Sequence, residues 1–288
     1  MKLNPSDIIK IELNAFKIEY PFIGDFKATL NKKLIDKVKS MLDKNISLRY
    51  IKAYIRKELE DYYKSKIKLQ LLQLKEEQLK SFEINPNANI KNALVFGLSL
   101  DDLIKSRINT HFKSLLQLAT TPNLNLNDIN KIKKANTYAM SSLTYNYLKA
   151  NRNLAYEYIE MQYKSDIKGW LYSAILDRRT STICLTLNNK FYEFKRYKKR
   201  SNLPYIPNIN THINCRSMLL TIYNGEDISK YKNKTLDEFL KSEPYEAKKL
   251  LGEKRYKLYK ENKLKAEDLI NFKQKKFYPI KDLIKSKN

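Results

Sequence analysis

Gly169-Trp170, then Leu176-Asp177-Arg178-Arg179-Thr180-Ser181-Thr182-Ile183-Cys184 and, beyond a basic stretch, His212-Ile213-Asn214-Cys215-Arg216-Ser217 mark where the chain changes its pattern. Upstream, apolar residues recur at helical spacing; here they do not. Leu171 to Ile175 alternates as a half-buried strand does, Asp177 to Thr180 reads as a polar turn, and Lys190 to Phe194 is a second short strand rich in aromatics. A small mixed module is therefore expected over residues 169–220. Trp170, the only tryptophan, is expected to anchor its core rather than stack on a ligand.

Outward from this module the chain reads as helix. From Leu48 to about Phe82 the apolar positions Leu48, Ile51, Ile55, Leu59, Tyr62, Ile67, Leu71 and Leu74 fall on one face, with Ser47 as N-cap. Such a helix would be roughly 50 Å long at 1.5 Å per residue, so it needs another helix or a partner along its side. Lys33 to Lys44 reads as an antiparallel neighbour. Asn85-Pro86-Asn87-Ala88-Asn89 is a turn-rich joint. After Gly97, Ser99 and Asp102 stand at capping-box spacing before Ile104 and Ile108. Thr121-Pro122-Asn123 closes that helix, and Asn127 or Asp128 opens another that reaches about Gln162. Beyond Leu236 helical signals return, with Gly252 as a C-cap. The expected fold is α+β and predominantly α-helical, with long N-terminal helices, the small mixed module and C-terminal helices. Its expected divisions are an N-terminal helical region over 1–84 and a second domain over 85–288, made of helices 93–168, the module 169–220 and terminal helices 235–285. Removing the helices before residue 85 is expected to leave a folded remainder.

With 288 residues, 42% of them hydrophobic, the chain can bury an ordinary core, so disorder is not expected. Its formal charge of +25 favours polyanions without choosing among nucleic acid, acidic proteins and acidic membranes. Abundant Lys, Asn, Ile and Tyr together point to a compositional origin for part of that charge. Two cysteines exclude a disulfide framework of the small secreted kind and leave at most one disulfide; assembly in a reducing cytosol is expected. Met1-Lys2-Leu3-Asn4-Pro5 lacks the apolar run of a signal peptide, and no stretch approaches the ~20 apolar residues of a membrane span.

The motif halves around Asp177 and His212 resemble the phage Mu protein F-like head morphogenesis family, whose hallmark is an aromatic, Asp-x-Arg-Thr-Ser-x-x-Cys, a short hairpin and His-x-x-Cys-Arg-Ser. A second block is also similar to the family's end: Thr235-Leu236-Asp237-Glu238-Phe239-Leu240-Lys241, then Pro244, Leu250-Leu251-Gly252, Arg255 and Asp268-Leu269. The resemblance covers about Ala93 to Leu283. The chain departs from it at Asn189, where a Gly usually turns the hairpin and Asn tolerates the left-handed region. It departs again in the approach Pro204, Pro207, His212 and in a basic insertion before that approach. The resemblance implies a minor head protein of the virion, assembled in the host cytoplasm, bound to the portal and to capsid or scaffold subunits, and structural rather than enzymatic. Some relatives carry a further toxin or nuclease module, which is not expected after these terminal helices. The alternative from another class is a nucleic-acid-binding protein whose charge is its function.

The motif residues Trp170, Asp177, Arg179, Thr180, Cys184, His212, Cys215 and Arg216 are expected to converge. Cys184, His212 and Cys215 have the donor types of a zinc site, but no Cys-x-x-Cys knuckle accompanies them. The favoured reading makes the cysteines small buried residues and gives Arg179 and Arg216 charge-assisted bonds to Asp177 and backbone carbonyls, so no cofactor and no catalytic residue is expected. Loss of Asp177 from a buried pair would cost ~3–5 kcal/mol. A Cys-His dyad lacks an orienting third group. Lys195, Arg196, Lys198, Lys199 and Arg200, interleaved with Tyr197, are candidate contacts to double-stranded DNA, although a solvated loop is the favoured reading. His111 is expected at the surface or the core edge.

Overall fold

The computed structural model describes residues 2–12, 14–15, 32–82, 94–95, 97–121 and 126–285. The fold is predominantly α-helical, with a small mixed α/β sheet between N-terminal and C-terminal helices. Two compact units divide the chain: Lys10–Ile159 with Asn208–Asn214, and Lys2–Ile9 with Glu160–Pro207 and Cys215–Asn288. Helices on both sides of position 84 fall in the first of these units. The joint at residues 85–89 lies outside the described residues, and the helices before it share one core with those after it.

In the first unit the helices are α1 (Lys32–Asp43), α2 (Leu48–Asp61), a π-helical stretch (Tyr62–Ile67), α3 (Lys68–Ser81), α4 (Leu100–Thr120) and the 37-residue α5 (Leu126–Gln162), whose last three residues count with the second unit. Ser47 caps α2 by accepting the Tyr50 N–H, and Ser99 with Asp102 forms a complete capping box on α4. α1 and α2 pack on α4, joining Leu34, Ile35, Ile55 and Leu59 to Ile104, Ile108, Leu115 and Met140 in one apolar core. The side of the α2 helix is thus covered from within the chain. Tyr63 is fully buried where Tyr62 was expected, because the π-helical stretch begins at Tyr62.

His111 is core rather than surface. Its Nε2 lies 3.0 Å from the Asn136 carbonyl and its Nδ1 2.8 Å from Tyr63 Oη. In the neutral ring Nε2–H therefore donates to the carbonyl and Nδ1 accepts the tyrosine O–H. Burial pushes the imidazole down to about 4.

The second unit is built on an antiparallel sheet of order β2-β1-β3: β1 (Ile167–Ser173), β2 (Phe191–Glu193) and β3 (Met218–Tyr223). The first strand starts earlier than its alternation suggested, because β1 is central and buried along most of its length. β3 goes unannounced for the same reason: Met218-Leu219-Leu220-Thr221-Ile222-Tyr223 is a continuous buried run without alternation. Between β1 and β2 lies α6 (Thr182–Leu187), and after β2 a short turn of helix, α7 (Phe194–Tyr197). The terminal region holds α8 (Leu236–Ser242), α9 (Pro244–Leu251), α10 (Glu253–Lys260) and α11 (Ile280–Lys285). It is not helical throughout, since β4 (Ile270–Asn271) and β5 (Lys276–Phe277) form a hairpin within it. Phe239, Leu240, Ala247, Leu251 and Leu269 make its core with Leu185 of α6. Gly252, at φ 77°, ends α9 and begins α10.

Candidate functional site

The Asp177-to-Cys184 half of the motif meets Cys215 and Arg216 of the other half inside the second unit. Asp177 follows β1, and Arg216 immediately precedes the Ser217 that leads into β3. Arg216 grips the Asp177 carboxylate with both terminal nitrogens, Nη1 to Oδ2 at 2.6 Å and Nη2 to Oδ1 at 2.6 Å, a fork geometry that fixes orientation as well as distance. The Arg179 N–H donates to Oδ1 at 2.8 Å. Thr180 Oγ1 accepts the Asp177 N–H and donates to the Ile175 carbonyl, each at 2.7 Å. The bond from Arg216 outweighs burial and holds the Asp177 carboxyl below the usual carboxylate range. The expected bond from Arg179 takes another form: its side chain is exposed, and it serves Asp177 by the backbone N–H and, more weakly, by its charge.

Ser181 then caps α6 by accepting the Cys184 N–H at 3.3 Å, which sets Cys184 inward. Cys184 Sγ lies 3.6 Å from Cys215 Sγ, and Tyr172 Oη bridges the pair at 3.4 and 3.5 Å. Both cysteines are buried and stand unbonded to one another. The hydrogen bond with Cys215, together with burial, pushes the Cys184 thiol far up, so it stays protonated. After α6 the chain turns at Asn189, φ 63°. Asn189 does more than replace a glycine: its amide donates to the Asn233 carbonyl at 2.8 Å and accepts the Asn233 N–H at 2.7 Å. The hairpin is thus tied to the segment before α8.

Trp170 sits fully buried in the middle strand, its ring 5.7 Å from that of Phe194. Gly169 beside it has no room for a side chain, because a Cβ would run into the Tyr192 carbonyl and the Phe191 ring. His212 lies in the Asn208–Asn214 segment of the first unit, half-buried, with Nδ1 2.9 Å from the Ile213 carbonyl. That segment is held to α5 by Asn214, whose N–H donates to Asn146 Oδ1 at 2.8 Å and whose Oδ1 accepts the Asn146 amide at 3.0 Å. Within the second unit Cys184 and Cys215 bring two thiols of metal-ligand type together, while His212 belongs to the first unit. Two thiols alone are short of a closed tetrahedral zinc site.

Of the basic loop, Lys195, Arg196, Lys198 and Lys199 are exposed. Lys198 turns the chain at φ 62°, and Arg196 lies over the Tyr197 ring at 5.3 Å. Arg200 is corrected out of the DNA-contact set. It is buried, with Nε 3.2 Å from each Glu160 oxygen, Nη1 3.2 Å from the Leu219 carbonyl and Nη2 3.1 Å from Thr221 Oγ1. A charge enclosed this way serves the fold, tying the end of α5 to β3. Sequence reasoning missed this pair because Arg200 closes a run of like charges and its acid lies 40 positions away.

It also missed a second buried cluster, in the first unit. Glu12 receives Tyr156 Oη at 3.1 Å and Arg152 Nε at 3.3 Å, with Lys149 Nζ at 3.5 Å. Burial alone would raise its carboxyl, but Arg152 and Lys149 overcome that and hold it at about 2. The available signal was the spacing of Lys149, Arg152 and Tyr156, which puts two cations and a hydroxyl on one helix face. No family model matches the chain, and neither a curated protein nor a solved structure matches it.

Proposed function

We propose that this chain is a minor head protein of a Mu protein F-like phage, a structural component of the virion that binds the portal and neighbouring capsid or scaffold subunits. The observation that carries the reading is the bidentate Arg216–Asp177 pair. It joins the Asp-x-Arg-Thr-Ser-x-x-Cys half of the motif to the His-x-x-Cys-Arg-Ser half across 39 positions, giving the spacing of the two halves a physical purpose. The same chemistry argues for structure over catalysis. Asp177 is committed to Arg216 and two backbone-ordering bonds, and the Cys184 thiol is held protonated, so neither is poised to act as base or nucleophile.

The test is co-purification of the full chain with the portal oligomer of its own phage at moderate salt. Retention on the portal and incorporation into heads support the reading; failure of both defeats it. A second reading, binding of packaged DNA by the basic loop, is favoured by the four exposed cations at 195, 196, 198 and 199. Replacing all four by Ser is expected to weaken DNA binding and reduce its log–log salt slope by up to roughly 4, at about one counterion per cation. An unchanged slope would return the loop to the solvent.

A further inference from the structure

We infer that Cys184 and Cys215 close into a reversible intramolecular disulfide when the protein meets an oxidant, a covalent lock on the mixed module. The inference stands apart from the head-protein reading, because it rests only on the geometry of the second unit. The two sulfurs lie 3.6 Å apart, in van der Waals contact. Reaching the bond length of about 2.05 Å requires side-chain movement of under 2 Å. Each sulfur is carried by a backbone that is itself held: Cys184 by the Ser181 cap, and Cys215 through its neighbour Arg216, clamped on Asp177. Tyr172 Oη touches both sulfurs and keeps them facing. Their approach is therefore built into the fold rather than reached by chance.

With hydrogen peroxide as the oxidant the chemistry balances. One cysteine sulfur attacks a peroxide oxygen, the O–O bond breaks, and a sulfenic acid and one water result. The second sulfur attacks the sulfenic sulfur, the S–S bond forms as the S–O bond breaks, and a second water leaves. Two thiols are oxidised by two electrons and one peroxide is reduced. Burial makes the first step slow, as befits a latent lock and not a catalytic thiol. In a reducing cytosol the pair stays open. Outside it, closure links positions 31 apart and restricts the unfolded chain.

The experiment uses the full chain, treated with hydrogen peroxide or with dithiothreitol, then denatured and labelled with a maleimide. The reduced protein is expected to take two labels and the oxidised protein none, with a mass lower by about 2 Da. Its melting temperature should rise by roughly 5–10 °C and return on reduction. Cys184→Ser should take one label under both conditions and show no rise. Should that variant fail to fold, the label count and the reversible shift of the unaltered chain still decide. Two labels after oxidation, a disulfide-linked dimer, or a lowered melting temperature would overturn the inference. So would stoichiometric zinc in the purified chain that masks the thiols until peroxide releases it.

Discussion

Asp177 and Glu160 are both acids held by an arginine, and the difference between them lies in water. The side chains of Asp177 and Arg216 remain 26% and 19% exposed, whereas those of Glu160 and Arg200 are 0% and 1% exposed. Solvent screens the first pair and stands ready to solvate whichever partner remains after a substitution. The ~3–5 kcal/mol expected for Asp177 as a buried ion is therefore lowered: Asp177→Ala should cost about 1–3 kcal/mol, the range of hydrogen bonds to charged groups under partial screening. Glu160→Ala strands the Arg200 guanidinium among the Leu219 carbonyl and Thr221 and should cost about 3–5 kcal/mol. Urea denaturation of both variants checks the ranking, and a larger loss at Asp177 would show that burial does not govern it. A hydrolytic activity abolished by Asp177→Ala or His212→Ala at unchanged melting temperature would instead make the motif an active site.

At the scale of elements, the π-helical stretch follows from a spacing visible in the chain. The buried residues Ile51, Ile55, Leu59, Tyr63, Ile67 and Leu71 recur at every fourth position. In a helix of 3.6 residues per turn each such step overshoots by roughly 40°, so the stripe would wind off the face that α4 covers. Widening the helix over Tyr62–Ile67 brings the stripe back, acting as a one-residue insertion does. Deleting Tyr62 should therefore convert the stretch to ordinary α-helix and leave the melting temperature within roughly 4 °C, the shift of about 1 kcal/mol. Deleting Lys52 instead should turn Ile51 out of register and lower it by more. Removing residues 32–82 altogether, expected from the sequence to be tolerated, strips Leu34, Ile35, Ile51, Ile55, Leu59 and Tyr63 from the shared core. The remainder of the first unit should lose cooperative unfolding and bind a hydrophobic dye, while retention of a sharp transition would restore the boundary at 84/85.

For the whole molecule, two buried groups of the first unit that titrate in acid, His111 and Glu12, set a limit in two stages. His111 has its folded value depressed from 6.5 to about 4, so the unfolded chain binds the proton more tightly. Its contribution is complete above pH 6.5 and is lost as pH falls toward 4, on the order of 3 kcal/mol by linkage. Glu12, depressed from 4.5 to about 2, keeps its contribution above pH 4.5 and loses it as pH falls through 2. Denaturant unfolding measured from pH 7 to pH 2 should decline in both windows, with His111→Gln flattening the upper one and Glu12→Gln the lower. A profile flat between pH 6.5 and 4 would contradict the burial of the histidine. The formal charge of +25 at pH 7 grows as the 31 Asp and Glu side chains protonate near pH 4, so mounting self-repulsion deepens the decline across that range.

What the sequence determined by itself was local. The Ser47 cap, the Ser99–Asp102 box, the extent of α5, the left-handed turn at Asn189 and the glycine stop at Gly252 each depend on a few adjacent residues and their dihedral preferences, and all stand where the residues put them. The spacing of the motif was legible too, and with it the pairing of Arg216 with Asp177. Tertiary structure alone decided which charges leave the solvent. Arg200 looks like the last cation of a basic loop and becomes a core residue because Glu160 and β3 close around it. Arg179 looks like a second guanidinium ligand of Asp177, yet its hydrogen bond comes from the backbone and its exposed side chain adds only charge. β3, buried on both faces, carries no alternation to read. The physical reason is common to these cases: desolvation depends on what packs against a side chain from far along the chain, and a local pattern holds no record of that partner.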